Sequence, residues 1–225
     1  QAAQRSGAKG MVGWDRRFHP LITQARRRVE ERGPVHSVMV ANLKSTSDFN
    51  RITGNGALDQ LTSDGMHAVD NLRWLAGGNV EWVTSHVDTI YIPGPVANNV
   101  MAQVEFSNGV VGQLHYSMVT GGASLQPGAT AAGYFRAEIH GKNITATVDA
   151  DRLSTIVADS GEQEVFDSKV FGEAAGSDPE HFLGFWHQAR EFIDCIKESR
   201  QPSSNFADAV KTWELINQIY ESSVV

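Results

Sequence analysis

Residues 104–117 read VEFSNGVVGQLHYS, two alternating apolar–polar runs on either side of Ser107, Asn108 and Gly109. Asn-Gly accepts the positive φ that a tight hairpin turn demands, so this stretch predicts two antiparallel strands joined directly. Further strand candidates lie on both sides. They are HSVMVANL (36–43), VEWVTSHVDTIYI (80–92), NVMAQVEFS (99–107), VVGQLHYSMV (110–119), YFRAEIHG (134–141) and ITATVD (144–149). Helical periodicity brackets them in PLITQARRRVEERG (20–33), LTSDGMHAVDNLRWLAGG (61–78), HFLGFWHQAREFIDCIKESR (181–200) and FADAVKTWELINQIYESS (206–223). Strands joined by hairpins and flanked by helices predict an α+β domain. The polar residues 44–59 and the Gly-, Ala- and Thr-rich residues 121–133 are expected to be loops.

The composition narrows the function. The chain has 225 residues, 41% of them hydrophobic, enough for a sizeable core. A net charge of −7 and a pI of about 5.6 argue against a nucleic-acid footprint or a polybasic membrane patch. No apolar run reaches the length of a bilayer span. Cys195 is the single cysteine and sits in an amphipathic helical pattern, which predicts a packed thiol and a reducing, cytoplasmic setting. The run Arg26–Arg28 reads as a solvated helix face. At the start, QAAQRSG resembles the last turns of a helix stopping at Gly7, and AKGMVGW (8–14) a short strand. Residues 1–10 are therefore expected to be the tail of a helix from a preceding domain, and residues 11–225 one α+β domain.

The helix expected over 61–78 carries the chemistry. Met66, Ala68, Val69, Leu72, Leu75 and Ala76 fall on one arc; Asp64, His67, Asp70, Asn71 and Trp74 fall on the opposite one. The acids and the histidine are thus predicted to face water, a cleft or another domain. Two accounts fit this arrangement. In one, Ser63 or Asp64 caps the helix and His67 is a surface residue. In the other, a carboxylate fixes the tautomer of His67 and leaves its second nitrogen free to exchange a proton with a substrate. The sequence has no ligand pair of zinc spacing, no G-x-S-x-G elbow and no phosphate-cradling P-loop.

Four segments together resemble the C-terminal domain of the glucose–fructose oxidoreductase, inositol dehydrogenase and rhizopine-catabolism (Gfo/Idh/MocA) family. MVGWDRRFHP (11–20) is similar to the crossover out of the dinucleotide domain. GNGALDQLTSDGMHAVDNLRWLAGG (54–78) is similar to the approach to an acid–His–Asp helix. VEFSNGVVGQLHYS is similar to the sheet hairpin, and residues 185–223 to the closing helix pair. The resemblance implies an open, mostly antiparallel sheet with helices on one face, the other face serving a homo-oligomer. It implies hydride transfer between a sugar, inositol or related polyol and NAD or NADP, the dinucleotide being bound by an N-terminal Rossmann domain. It makes His67 the acid/base with Asp64 as its orienter, and Asp70, Asp15, Arg16 and Tyr134 substrate-binding residues. Family members commonly have an Asp where this chain has Ser63, and the sequence carries neither G-x-G-x-x-G after a strand nor Glu-Lys-Pro. The expectation is that the dinucleotide domain lies upstream and that this chain alone is inactive. The rival reading is a non-catalytic binding or assembly module that keeps the sheet and its interface.

Overall fold

The computed structural model describes residues 5–44, 61–91, 97–120, 134–149, 152–167 and 184–223. Eight strands form one sheet: β1 (Val35–Leu43), β2 (Val80–Asp88), β3 (Asn99–Phe106), β4 (Val111–Ser117), β5 (Tyr134–Gly141), β6 (Ile144–Asp149), β7 (Arg152–Val157) and β8 (Gln163–Asp167). Their spatial order is β2-β3-β4-β1-β5-β6-β7-β8. The chain starts at the centre with β1, crosses to one edge, and meanders back through β2, β3 and β4. It then moves to the other side of β1 and meanders outward through β5 to β8. Only β1–β4 is parallel, with Val38 opposite Gly112 and Val40 opposite Leu114. The remaining pairs are antiparallel, so the sheet is open and mostly antiparallel, as the sequence predicts. Gly109 sits at φ 81° in the expected hairpin turn, donating its N–H to the Phe106 carbonyl at 2.8 Å.

Among the described residues four α-helices accompany the sheet: α1 (Pro20–Glu30), α2 (Met66–Ala76), α3 (Phe185–Lys197) and α4 (Phe206–Glu221). The first packs on β5–β7, the second on β1 and β4, and α4 on β2 and α2, all on one face of the sheet. Alternation in β3 shows why: Val100, Ala102, Val104 and Phe106 point into this layer, and Met101, Gln103 and Glu105 point away. Each fully buried Val, Leu or Phe contributes about 1.5–3 kcal/mol by leaving water. Asn205 caps α4, its Oδ1 accepting from the N–H of Ala207 at 3.0 Å and of Asp208 at 3.1 Å. The opposite sheet face carries exposed Met39, Trp82 and Met101 and a shallow groove of about 530 Å³ that His86 and His115 help to line. Cys195 is buried, as expected.

The structure corrects several local expectations. Residues 8–14 join no strand; Val12 instead donates to the Ser204 carbonyl at 2.8 Å. Strands β7 and β8 lack a clear alternation in the sequence, because the inward series Leu153, Thr155, Val157 places a threonine where apolar alternation is sought. The run Arg26–Arg28 is not uniformly solvated. Arg26 stacks 4.6 Å from the Trp74 ring and donates to its carbonyl at 3.0 Å, while Arg28 lies over Phe166 and pairs with Glu164 at 3.1 Å. Their guanidinium groups lie over aromatic rings, leaving Arg27 on the outer side. The loops expected over 44–59 and 121–133 lie, beyond Lys44, outside the described residues.

Candidate active site

Two short elements meet where β1 and β4 end and β5 begins. One is a 3-10 turn, Asp15–Phe18; the other is a π-helical turn, Leu61–Gly65, that leads into α2. The 3-10 turn sends neighbouring side chains in different directions. Arg17 points inward and forks onto Asp70, with Nε 2.6 Å from Oδ2 and Nη2 bonded to Oδ1. The same Nη2 lies 2.6 Å from the Asp208 carboxylate, and Thr212 donates to Asp70 at 2.9 Å. Arg73 completes the network, 2.8 Å from Asp208 and 3.2 Å from the Thr212 hydroxyl. Burial pushes the Asp70 carboxyl above its ordinary pKa, and the Arg17 fork opposes this. This buried network bolts the turn to α2 and α4.

The bolt fixes Asp15 beside His67. Nδ1 of His67 lies 3.1 Å from Oδ1 of Asp15, and the Trp14 ring meets the imidazole edge-on at 5.8 Å between centroids. Burial raises the Asp15 pKa, but the His67 contact and the Arg16 charge outweigh it and hold the carboxyl below its usual value. The buried Nδ1 faces the carboxylate, while the His67 side chain as a whole is 31% exposed. Arg16 lies 3.8 Å from the other Asp15 oxygen, its guanidinium 4.6 Å above the Phe135 ring. His19 ends the turn and caps α1, Nδ1 accepting from the Leu21 N–H at 3.2 Å. Burial, with Arg16 nearby, lowers the His19 pKa to about 3, which keeps that nitrogen unprotonated for the cap.

These contacts correct three sequence expectations. Asp64 does not orient His67; its carboxylate takes the Lys44 ammonium at 2.6 Å and the Asn42 amide at 3.2 Å. Nor does Ser63 or Asp64 cap α2, whose N-cap position is Gly65 with no side-chain bond. Asp70 and Asn71 do not face a cleft, because α4 and the 3-10 turn cover that side of α2 and bury both. Asp15 and Arg16 stand at His67 as a group. Tyr134 opens β5, its backbone paired with Leu43. Trp14, Arg17 and Lys44 went unrecognised: Asp15 and His67 are 52 positions apart, and no spacing rule links such pairs.

A sequence profile of the GFO/IDH/MocA C-terminal domain matches residues 24–147, more than half of the chain. The chain belongs to this family. No curated protein matches the GFO/IDH/MocA domain described here by sequence. Its fold is shared with solved structures of low identity. Levoglucosan dehydrogenase in complex with NADH and levoglucosan aligns at TM-score 0.78 and 22% identity over 99% of this chain and 66% of its own. An Agrobacterium radiobacter oxidoreductase in complex with NAD+, L-tartaric acid and magnesium aligns at 0.78 and 17%, over 98% of this chain and 64% of its own. The aldose-aldose oxidoreductase of Caulobacter crescentus, complexed with glycerol, aligns at 0.76 and 19%, over 99% and 64%. The GFO/IDH/MocA chain thus spans about two thirds of the length of these oxidoreductases. Among its described residues no helix is long and apolar enough to cross a membrane, and no cluster of three or more His, Cys, Asp or Glu is poised to hold a metal.

Proposed function

We propose that the chain is the substrate-binding and oligomerisation domain of a cytoplasmic NAD(P)-dependent oxidoreductase acting on a sugar, inositol or related polyol. The His67–Asp15 pair carries this reading. A buried carboxylate beside Nδ1 fixes the tautomer, leaving Nε2 to take the hydroxyl proton as an alcohol becomes a carbonyl. Arg16 and Tyr134 position the substrate's other oxygens, with the Lys44–Asp64 pair at the edge of the site; Asp70 serves as an anchor and does not touch substrate.

The chain's residues do not fit a dinucleotide's pyrophosphate. The glycine-rich strand-to-helix turn that would receive it is not in the sequence. A Rossmann domain preceding residue 11 is proposed to bind NAD or NADP, whose nicotinamide exchanges the hydride. Levoglucosan and glycerol in the similar proteins support a polyhydroxylated substrate. In the intact protein, His67→Ala is expected to lower kcat by about 10²-fold or more while dinucleotide affinity stays within about twofold. Unchanged turnover removes His67 from the mechanism.

One feature favours a second reading, a non-catalytic module. Ser63 replaces the family's usual acid, and neighbouring Asp64 is engaged by Lys44. The coding sequence upstream of Gln1 separates the two: a glycine-rich turn and a Glu-Lys-Pro support the enzyme, an unrelated domain the module.

A further inference from the structure

Among the described residues around His67, three cations are closed by near carboxylates. Arg17 lies 2.6 Å from both Asp70 and Asp208, Arg73 2.8 Å from Asp208, and Lys44 2.6 Å from Asp64. Arg16 is different. Asp15 is the one described carboxylate within 4 Å of it, at 3.8 Å, beyond hydrogen-bond distance, and that same carboxylate is engaged by His67 at 3.1 Å. The Arg16 side chain is 27% exposed, and its guanidinium lies over the Phe135 ring, 4.6 Å from the centre. Cation–π attraction holds the group there, while its N–H donors lie in its own plane and point to its edges. Phe135 sits opposite Asn42 in the β1–β5 register, both are buried, and the Asn42 amide donates to Asp64. The stack is thereby fixed beside the Lys44–Asp64 pair.

We infer that Arg16 receives a carboxylate of the substrate, so that the substrate is a hydroxy acid of the sugar series, a uronate or an aldonate. This rests on the proposed function and narrows its substrate class. Charge and geometry both select an anion over a hydroxyl. Before the reaction the Asp15 carboxylate lies between His67 and Arg16, one oxygen toward each. Once His67 has taken the hydroxyl proton, Asp15 faces an imidazolium and Arg16 is left without a counter-charge. Lys44 and Asp64 cancel each other, so a substrate carboxylate restores the balance. The edge of a guanidinium also presents two parallel N–H groups that match the two oxygens of a carboxylate. Such charge-assisted bonds are roughly twice as strong as neutral ones. A hydroxyl would use only one of the two donors.

The test uses the intact protein with NAD and with NADP, on matched pairs of compounds. D-glucuronate is set against D-glucose, D-galacturonate against D-galactose, and D-gluconate against D-glucitol. At least one acid should exceed its neutral partner by about tenfold or more in kcat/KM. Raising the ionic strength from about 0.05 M to about 0.5 M should narrow that ratio, because salt screens the attraction. R16M should bring the ratio to about one, chiefly through KM, while R16K, which keeps the charge without the fork, should give an intermediate ratio. Neutral compounds turned over as well as their acids overturn the inference and spare the oxidoreductase. Equal losses on acid and neutral compound in R16M also overturn it, by giving Arg16 a hydroxyl partner. If none of the six compounds is turned over, the oxidoreductase reading fails, and calorimetry with the three acids decides the site by itself. Binding that R16M abolishes supports the carboxylate site, and no binding of any acid overturns it.

Discussion

At the scale of single residues, Asp15 holds the place beside His67 that the sequence assigns to Asp64. The imidazole lies 3.1 Å from the Asp15 carboxylate, whereas Asp64 is neutralised by Lys44. Replacing Asp15 with Asn keeps the shape of the side chain but permits the wrong tautomer of His67. D15N in the intact protein should lower kcat by about 10- to 10³-fold. D64N should leave kcat within about threefold of wild type, and equal losses in both variants would refute the assignment. His19 gives a second test, in stability. Its folded pKa of about 3 lies below the ordinary 6.5, so between those values the unfolded chain binds the extra proton. Its contribution is complete above pH 6.5 and is lost as pH falls toward 3, at up to about 1.4 kcal/mol per pH unit. H19N, which keeps a capping acceptor, should flatten the denaturation midpoint against pH in that window.

At the scale of elements, the geometry of the Asp15–His67 pair depends on how the 3-10 turn is tied to α2 and α4. Arg17, Asp70, Arg73 and Thr212 make that tie out of sight of solvent, with the partly exposed Asp208 at its edge. Breaking one member leaves an uncompensated buried charge, which costs more than the intact network contributes. R17M should therefore destabilise the domain by about 3–5 kcal/mol, read as a lowered urea midpoint with an unchanged m-value. A loss within the range of an exposed salt bridge, about 1 kcal/mol or less, would show that the network is solvated and not an anchor. Helical periodicity located α2 correctly but assigned Asp70 and Asn71 to the wrong surroundings. A period separates two arcs of a helix; it does not say that the second arc is also covered, here by α4 and the turn.

At the scale of the whole molecule, the described residues leave the sheet one helix-covered face and one bare face. Met39, Trp82 and Met101 lie exposed on the bare face among His86 and His115, and burial already lowers the His115 pKa. That half of the sheet, β2-β3-β4-β1, is the proposed oligomer surface; the β5–β8 half carries Arg136, Glu138 and His140 in its place. A charge at its centre faces its symmetry copy across an isologous contact. M101E should give a monomer by light scattering at micromolar concentration, where the wild-type protein gives a dimer or larger. A wild-type monomer under those conditions would end the oligomer proposal.

The strand alternation of β1–β6, the Asn-Gly turn, the α1, α2 and α4 patterns and the family resemblance were all present in local sequence, because periodicity and turn chemistry act over a few neighbouring residues. Strands β7 and β8, the parallel β1–β4 pair and the partner of His67 came only with the tertiary structure. Each depends on groups far apart in the chain: Val38 beside Gly112, Arg17 against Asp70, Asp15 against His67. Local pattern decides which side of an element is apolar, whereas packing decides which carboxylate reaches which base.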